Sequence, residues 1–192
     1  MVKIIAIVGM PGSGKSLVAS YLRNNGFPIF HFGEIIIREV EKRGLSITPH
    51  NEQMVREEMR RNQGMDVCAQ MSLPLIKAKL LEHQVVIIDG LYSFSEYKTI
   101  KKEFNDELLV LGIFTPKAIR YERLALRQER PLTPREAELR DFREIEIIEK
   151  GGPIAIADLI IINDGSQFEL HEKIENILTK ISHKMPPVIC KR

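Results

Sequence analysis

Eight residues near the start of the chain, Gly9-Met10-Pro11-Gly12-Ser13-Gly14-Lys15-Ser16, fit the pattern Gly-x-x-x-x-Gly-Lys-Ser in full. Glycines admit positive φ and let the backbone approach a ligand closely, so successive amides can turn inward onto phosphate oxygens. The two residues that end the loop then divide the work. Lys15 reaches the β- and γ-phosphates of a nucleoside triphosphate, and the Ser16 hydroxyl ligates Mg2+. Asp89 closes the apolar run Val85-Val86-Ile87-Ile88 and precedes Gly90. A carboxylate at the end of a strand beside the first faces the phosphate loop and can hold the metal through water, although Asp-Gly is also an ordinary turn pair.

A triphosphate grip serves switches and kinases alike; a small-molecule kinase also needs an acceptor pocket and a cover that excludes water. Two stretches are long enough to supply them, an acceptor-binding insertion at about 33–83 and a lid at about 116–153. Arg120, Arg123 and Arg127 are spaced three and four apart and so project from one side of a helix. Guanidiniums so placed repel one another unless an anion or carboxylates lie between them, and a phosphoryl group in transfer is such an anion. Thr133 before Pro134 reads as a helix cap, and the alternating signs that follow suit an exposed helix of the lid. Arg56, Arg60 and Arg61 stand among Glu52, Glu57 and Glu58 and read as a solvated helix face, with substrate contact as the alternative.

The elements that must position these groups follow from hydrophobic pattern. Five short apolar runs, Lys3 to Val8, Pro28 to Phe32, Gln84 to Asp89, Glu107 to Phe114 and Asp158 to Asn163, are strand-length and lack alternation where both faces are covered. Helical segments separate them: Lys15 to Asn25, Glu34 to Arg43, Asn51 to Arg61, Val67 to Glu82, Ser95 to Glu103, Pro116 to Arg127, Thr133 to Glu149 and Phe168 to Ser182. Pro74 is expected to kink or interrupt the fourth. The alternation predicts a three-layer α/β P-loop fold with a parallel sheet of about five strands, in one domain spanning 1–192.

With 192 residues, 44% of them apolar and a net charge of +2, the chain has one core and no general basicity to suggest nucleic-acid binding. It has no run long enough to span a membrane, and nothing like a secretory leader precedes the first strand, so the expectation is a cytoplasmic protein. Cys68 and Cys190 are too far apart and too isolated for a zinc site or a disulfide framework, and Met185 to Arg192 reads as an extended terminus.

The stretch Phe30-His31-Phe32-Gly33-Glu34, followed by Arg38, resembles nucleoside monophosphate kinases. That resemblance implies that Arg38 grips the acceptor's anionic group and Glu34 lies near its reactive oxygen; four-residue spacing on a helix also suits a surface ion pair. The stretch Ala157-Asp158, an apolar strand and then Asn163-Asp164-Gly165-Ser166 resembles dephospho-coenzyme A kinases, which implies that Asn163 lies beside the adenine of ATP, although Asn-Asp-Gly is also an ordinary turn. Over nearly the whole chain to about residue 182 the likeness is to archaeal P-loop kinases of undefined substrate related to these two groups.

One departure stands out. Where the resemblance leads one to expect Asp-Gly-x-Arg-Ser, the chain has Asp89-Gly90-Leu91-Tyr92-Ser93, so Tyr92 stands at the acceptor site without a guanidinium's charge. The function implied is ATP- and Mg2+-dependent phosphoryl transfer to a small nucleotide-like acceptor, with Lys15, Arg123, Arg127 and Glu34 as catalytic groups. The alternative is an ATPase or nucleotide switch that binds a protein or RNA; the Asn-Lys-x-Asp signature of a guanine-specific switch is absent.

Overall fold

A computed structural model describes residues 1–184. Cys190 and the tail expected to be extended lie outside the described residues. Five strands, β1 (Ile4–Val8), β2 (Ile29–His31), β3 (Val86–Asp89), β4 (Leu108–Phe114) and β5 (Leu159–Ile162), form one parallel sheet in the order β2-β3-β1-β4-β5. Each strand lies within one of the five runs read from the sequence. The order places β1, which leads into the phosphate loop, between β3 and β4.

Alternation along the strands feeds two cores. Ile4, Ala6 and Val8 of β1 and Val86 and Ile88 of β3 face one layer, together with α2 (Gly33–Lys42), α3 (Pro49–Gln63), α4 (Val67–Glu82) and α5 (Phe94–Phe104). Ile5, Ile7 and Ile87 face the other, where α1 (Lys15–Asn24) and α9 (Gln167–Ile181) bring Val18, Leu22, Leu170 and Ile174. Burial on both faces explains why β1 and β3 read as unbroken apolar runs; β5, at the sheet edge, buries Ile161 but leaves Ile160 and Ile162 half exposed, so its unbroken run does not mark a strand covered on both faces.

At Pro74 the chain does not interrupt α4, which runs through it from Val67 to Glu82. A proline inside a helix removes one amide donor, and here Leu73 and Leu75 on either side pack against the core and hold the helix through that loss. Around the end of the sheet that bears the phosphate loop lie α6 (Lys117–Ala125), α7 (Pro134–Glu146) and a short α8 (Gly151–Ala155). Thr133 caps α7 through a reciprocal capping box with Glu136, the local signal the sequence carried.

Candidate active site

Register sets the floor of the site. Ile7 pairs with Asp89 and Asp89 with His31, so the Asp89 carboxylate is level with the last turn of backbone before the phosphate loop. Its Oδ2 is 3.1 Å from His31 Nδ1, whose Nε2 lies 2.8 Å from an Arg23 nitrogen. Since arginine can only donate, it assigns the proton of a neutral His31 to Nδ1, and the imidazole orients Asp89. In the loop, the Lys15 ammonium donates to Met10 O at 3.0 Å. Burial, then the Lys150 ammonium, lower its pKa from 10.5 to about 7.

Two glycines of the loop are required by close approach as well as by conformation. Gly12, at φ +80, would put a Cβ 2.7 Å from Arg120 O; Gly14, at φ +95, would drive one into the Asn163 side chain. Ser13 Oγ is buried in the loop without a hydrogen-bond partner among the described residues.

Beyond the loop opens a cleft of about 1360 Å³. Gly12, Gly14, Lys15, Ser16, Asp89 and Tyr92 line one side of it. Across from them, α3 contributes Arg56, Arg60 and Arg61, while Arg123 and Arg127 and the α7 residues Arg140 and Arg143 line the lid side. Of the α3 arginines, Arg61 is exposed and Arg56 partly exposed, as the glutamates suggested, whereas the Arg60 side chain is largely buried. Lysines and arginines outnumber carboxylates by ten to four along the walls, so the cleft is built for an anion larger than one phosphate.

Arg60 is the best supported of these cations. Its side chain is only 10% exposed, and one terminal nitrogen donates to Glu96 Oε1 at 3.2 Å. Glu96 Oε2 in turn accepts from the amides of Tyr92 and Ser93, both at 2.8 Å. Burial pushes the Glu96 carboxyl up, and Arg60 pulls it back. The Arg60 Nε remains buried without a partner among the described residues.

Several expected contacts are redistributed. Arg120 does not reach the cleft: its guanidinium is bidentate to Asp141, at 3.0 and 2.6 Å, and donates to Pro11 O at 3.0 Å. Desolvation decides this, since a buried guanidinium must keep a carboxylate. Asn163 is 3% exposed, donates from Nδ2 to Ser13 O at 2.8 Å, and accepts on its carbonyl from Thr115 and Arg123, so it braces the phosphate loop from behind. Arg123 and Arg127 do line the cleft. Glu34 and Arg38 do not: α2 buries Ile35, Ile36 and Val40, and the two polar residues share its opposite face. Tyr92 lies on the cleft as expected, with its hydroxyl pushed up to about 12 by burial and then by Asp89.

Glu144 and Lys150 form a buried pair on the cleft that sequence reading did not single out. They lie in a run of alternating charges that reads as surface, and only the return of the chain after α7 turns them inward.

The AAA domain family matches residues 8–139 of the chain. A UPF0200 protein of Thermococcus gammatolerans is 35% identical, over 93% of this chain and 95% of its own length. Among solved structures, shikimate kinase from Bacteroides thetaiotaomicron superposes with a TM-score of 0.58 at 15% identity, covering 94% of this chain and 98% of that one. A gluconokinase from Sinorhizobium meliloti superposes with a TM-score of 0.53 at 10% identity, covering 95% and 94%. These likenesses show the fold, which is that of P-loop kinases.

Proposed function

The chain belongs to the AAA domain family and to the UPF0200 proteins, and from that frame we propose that it is an ATP-dependent phosphotransferase whose acceptor is a small, nucleotide-like molecule with an anionic group of its own. The observation that carries this reading is a second cationic wall, Arg56, Arg60 and Arg61 of α3, on the same cleft as the phosphate loop, with Arg60 held in place by buried Glu96. An acceptor phosphate or carboxylate on this wall would meet guanidiniums suited to bidentate pairing. An ATPase or switch has no need of that second anion site.

On the donor side, the loop glycines at positive φ and Lys15 suit a triphosphate. Among the described residues no three His, Cys, Asp or Glu side chains cluster as a metal site of their own. A magnesium ion would instead be held with the nucleotide, by the Ser16 hydroxyl and through water by Asp89, and would supply charge neutralisation on the phosphates. The new bond forms between the acceptor oxygen and the γ-phosphorus as the bond from phosphorus to the leaving oxygen of ADP breaks. Lys15, Arg123 and Arg127 steady the charge on the transferred group. Glu34 lies off the cleft, which favours a phosphate acceptor, since such an oxygen needs no general base.

The test is incubation with labelled ATP, Mg2+ and a panel of nucleoside monophosphates and dephospho-coenzyme A. Labelled acceptor is the expected product; hydrolysis indifferent to every acceptor, with no labelled product, overturns the kinase reading in favour of an ATPase or switch. Arg60→Ala should raise the acceptor KM at least about tenfold, the equivalent of one lost charge-assisted hydrogen bond, and leave the KM for ATP unchanged.

A further inference from the structure

Lys150 is a lysine in an unusual place. It lies just after α7, is 4% exposed, and lines the same cleft as Lys15. The chain reverses at Glu149, which adopts φ +60, and the Lys150 amide donates to Glu144 O at 3.0 Å. The Glu149 carboxylate accepts from the Ser95 hydroxyl at 3.0 Å, which ties this turn to the start of α5. The Lys150 side chain is thereby aimed back under the lid. Its ammonium is paired with the Glu144 carboxylate and stands 4.4 Å from the centre of the Tyr92 ring.

Tyr92 is the position at which the chain lacks an expected arginine, so a cation reaches that spot from a different element. A cation on an aromatic face, in a site shielded from water, is held by more than its ion pair. Glu144 is not a dedicated partner: Lys150, Arg140 and Lys15 all act on its carboxylate and outweigh the upward push of burial. Lys150 is the ion-pair partner of Glu144, while the second buried ammonium on the cleft, Lys15, donates to Met10 O in the phosphate loop. The two ammoniums repel each other, and an anion between them would convert repulsion into attraction on both sides.

The geometry points to Lys150 as a second phosphate-binding lysine, contacting the γ-phosphoryl group across from Lys15, with Tyr92 as its platform and Glu144 as its resting partner. This rests on the reading of GMPGSGKS as a triphosphate loop and is independent of which acceptor is used. Binding of ADP and of a non-hydrolysable ATP analogue, each with Mg2+, measured by calorimetry on the full-length protein, separates γ-phosphate contacts from all others.

Lys150→Met keeps the stem on Tyr92 but removes the charge. It should weaken the analogue about tenfold and ADP by less than about twofold, and Lys150→Arg should restore most of the loss. Glu144→Gln should shift the other way, tightening the analogue by removing a negative charge from beside the γ-phosphate. A purely structural pair would give Glu144→Gln and Lys150→Met the same loss on both ligands, with matching falls in thermal unfolding temperature, and that result overturns the proposal. Unaltered binding of both ligands by Lys150→Met also overturns it. A wild-type protein that binds neither nucleotide removes the phosphate-loop reading and this one together; one that binds both but labels no acceptor removes only the kinase reading.

Discussion

Lys15 is where burial and charge meet most directly. Its pKa of about 7, against 10.5 in an ordinary lysine, follows first from burial and second from Lys150. The unfolded chain keeps the Lys15 proton up to about pH 10.5, whereas the folded empty protein loses it near 7. The unfolded state therefore binds more protons between these values, and Lys15 makes stability rise with pH across that window, its destabilising effect being fully present below 7. Triphosphate reverses the preference, because it favours the ammonium. At pH 8 nucleotide binding should take up a proton, seen as a dependence of the calorimetric heat on the ionisation enthalpy of the buffer; heats identical in all buffers would contradict this assignment. Lys15→Ala should remove the proton uptake and lower phosphoryl transfer by at least about a hundredfold, on the scale of a lost electrostatic donor.

At the scale of elements, a buried interaction fastens the lid to the phosphate loop. Arg120 of α6 ties Asp141 of α7 to Pro11 O, with Tyr121 Oη also donating to Asp141 at 3.2 Å. Removing one partner of a buried ion pair strands the other, at a cost of about 3–5 kcal/mol. Asp141→Ala should therefore lower the unfolding free energy by about that amount in a denaturant titration, and a loss below about 1 kcal/mol would mean that the guanidinium finds another acceptor. The contrast is Arg143 of α7 with Glu57 of α3, an ion pair bridging the lid and α3 with both side chains about half exposed. Pairs of that kind contribute ~0–1 kcal/mol, so the bridge can open for a ligand without loss of the fold.

Across the whole molecule, charge is segregated. A net charge of +2 hides a cleft in which cations outnumber carboxylates by ten to four. Focused positive charge of this kind attracts an anionic acceptor and is screened by salt, with a Debye length of about 10 Å at 0.1 M. The acceptor KM should rise several-fold between about 0.05 and 0.5 M KCl while kcat changes little. A KM insensitive to salt would argue for a neutral acceptor. Among the described residues no helix is long and apolar enough to cross a membrane.

Local chemistry was enough to specify a good deal from sequence. The phosphate loop, the five strands, the helix cap at Thr133 and the placement of Asp89 at the end of β3 each depend on residues close together in the chain, where glycine conformation, hydrophobic pattern and capping act. What sequence left open depended on contacts across the chain. Spacing put Arg120, Arg123 and Arg127 on one helix face, but only the packing of α7 decided that Arg120 turns to Asp141 while Arg123 and Arg127 line the cleft. Asn163 braces the loop from 150 residues away. Glu34 and Arg38 had suitable types and spacing, yet α2 rotated them off the cleft by burying Ile35, Ile36 and Val40. Arg60 and Lys150 looked like surface because their neighbours in sequence are charged. Tertiary structure buried them along the cleft, since exposure is a property of the assembled fold, and the desolvation that gives a charge its strength exists only there.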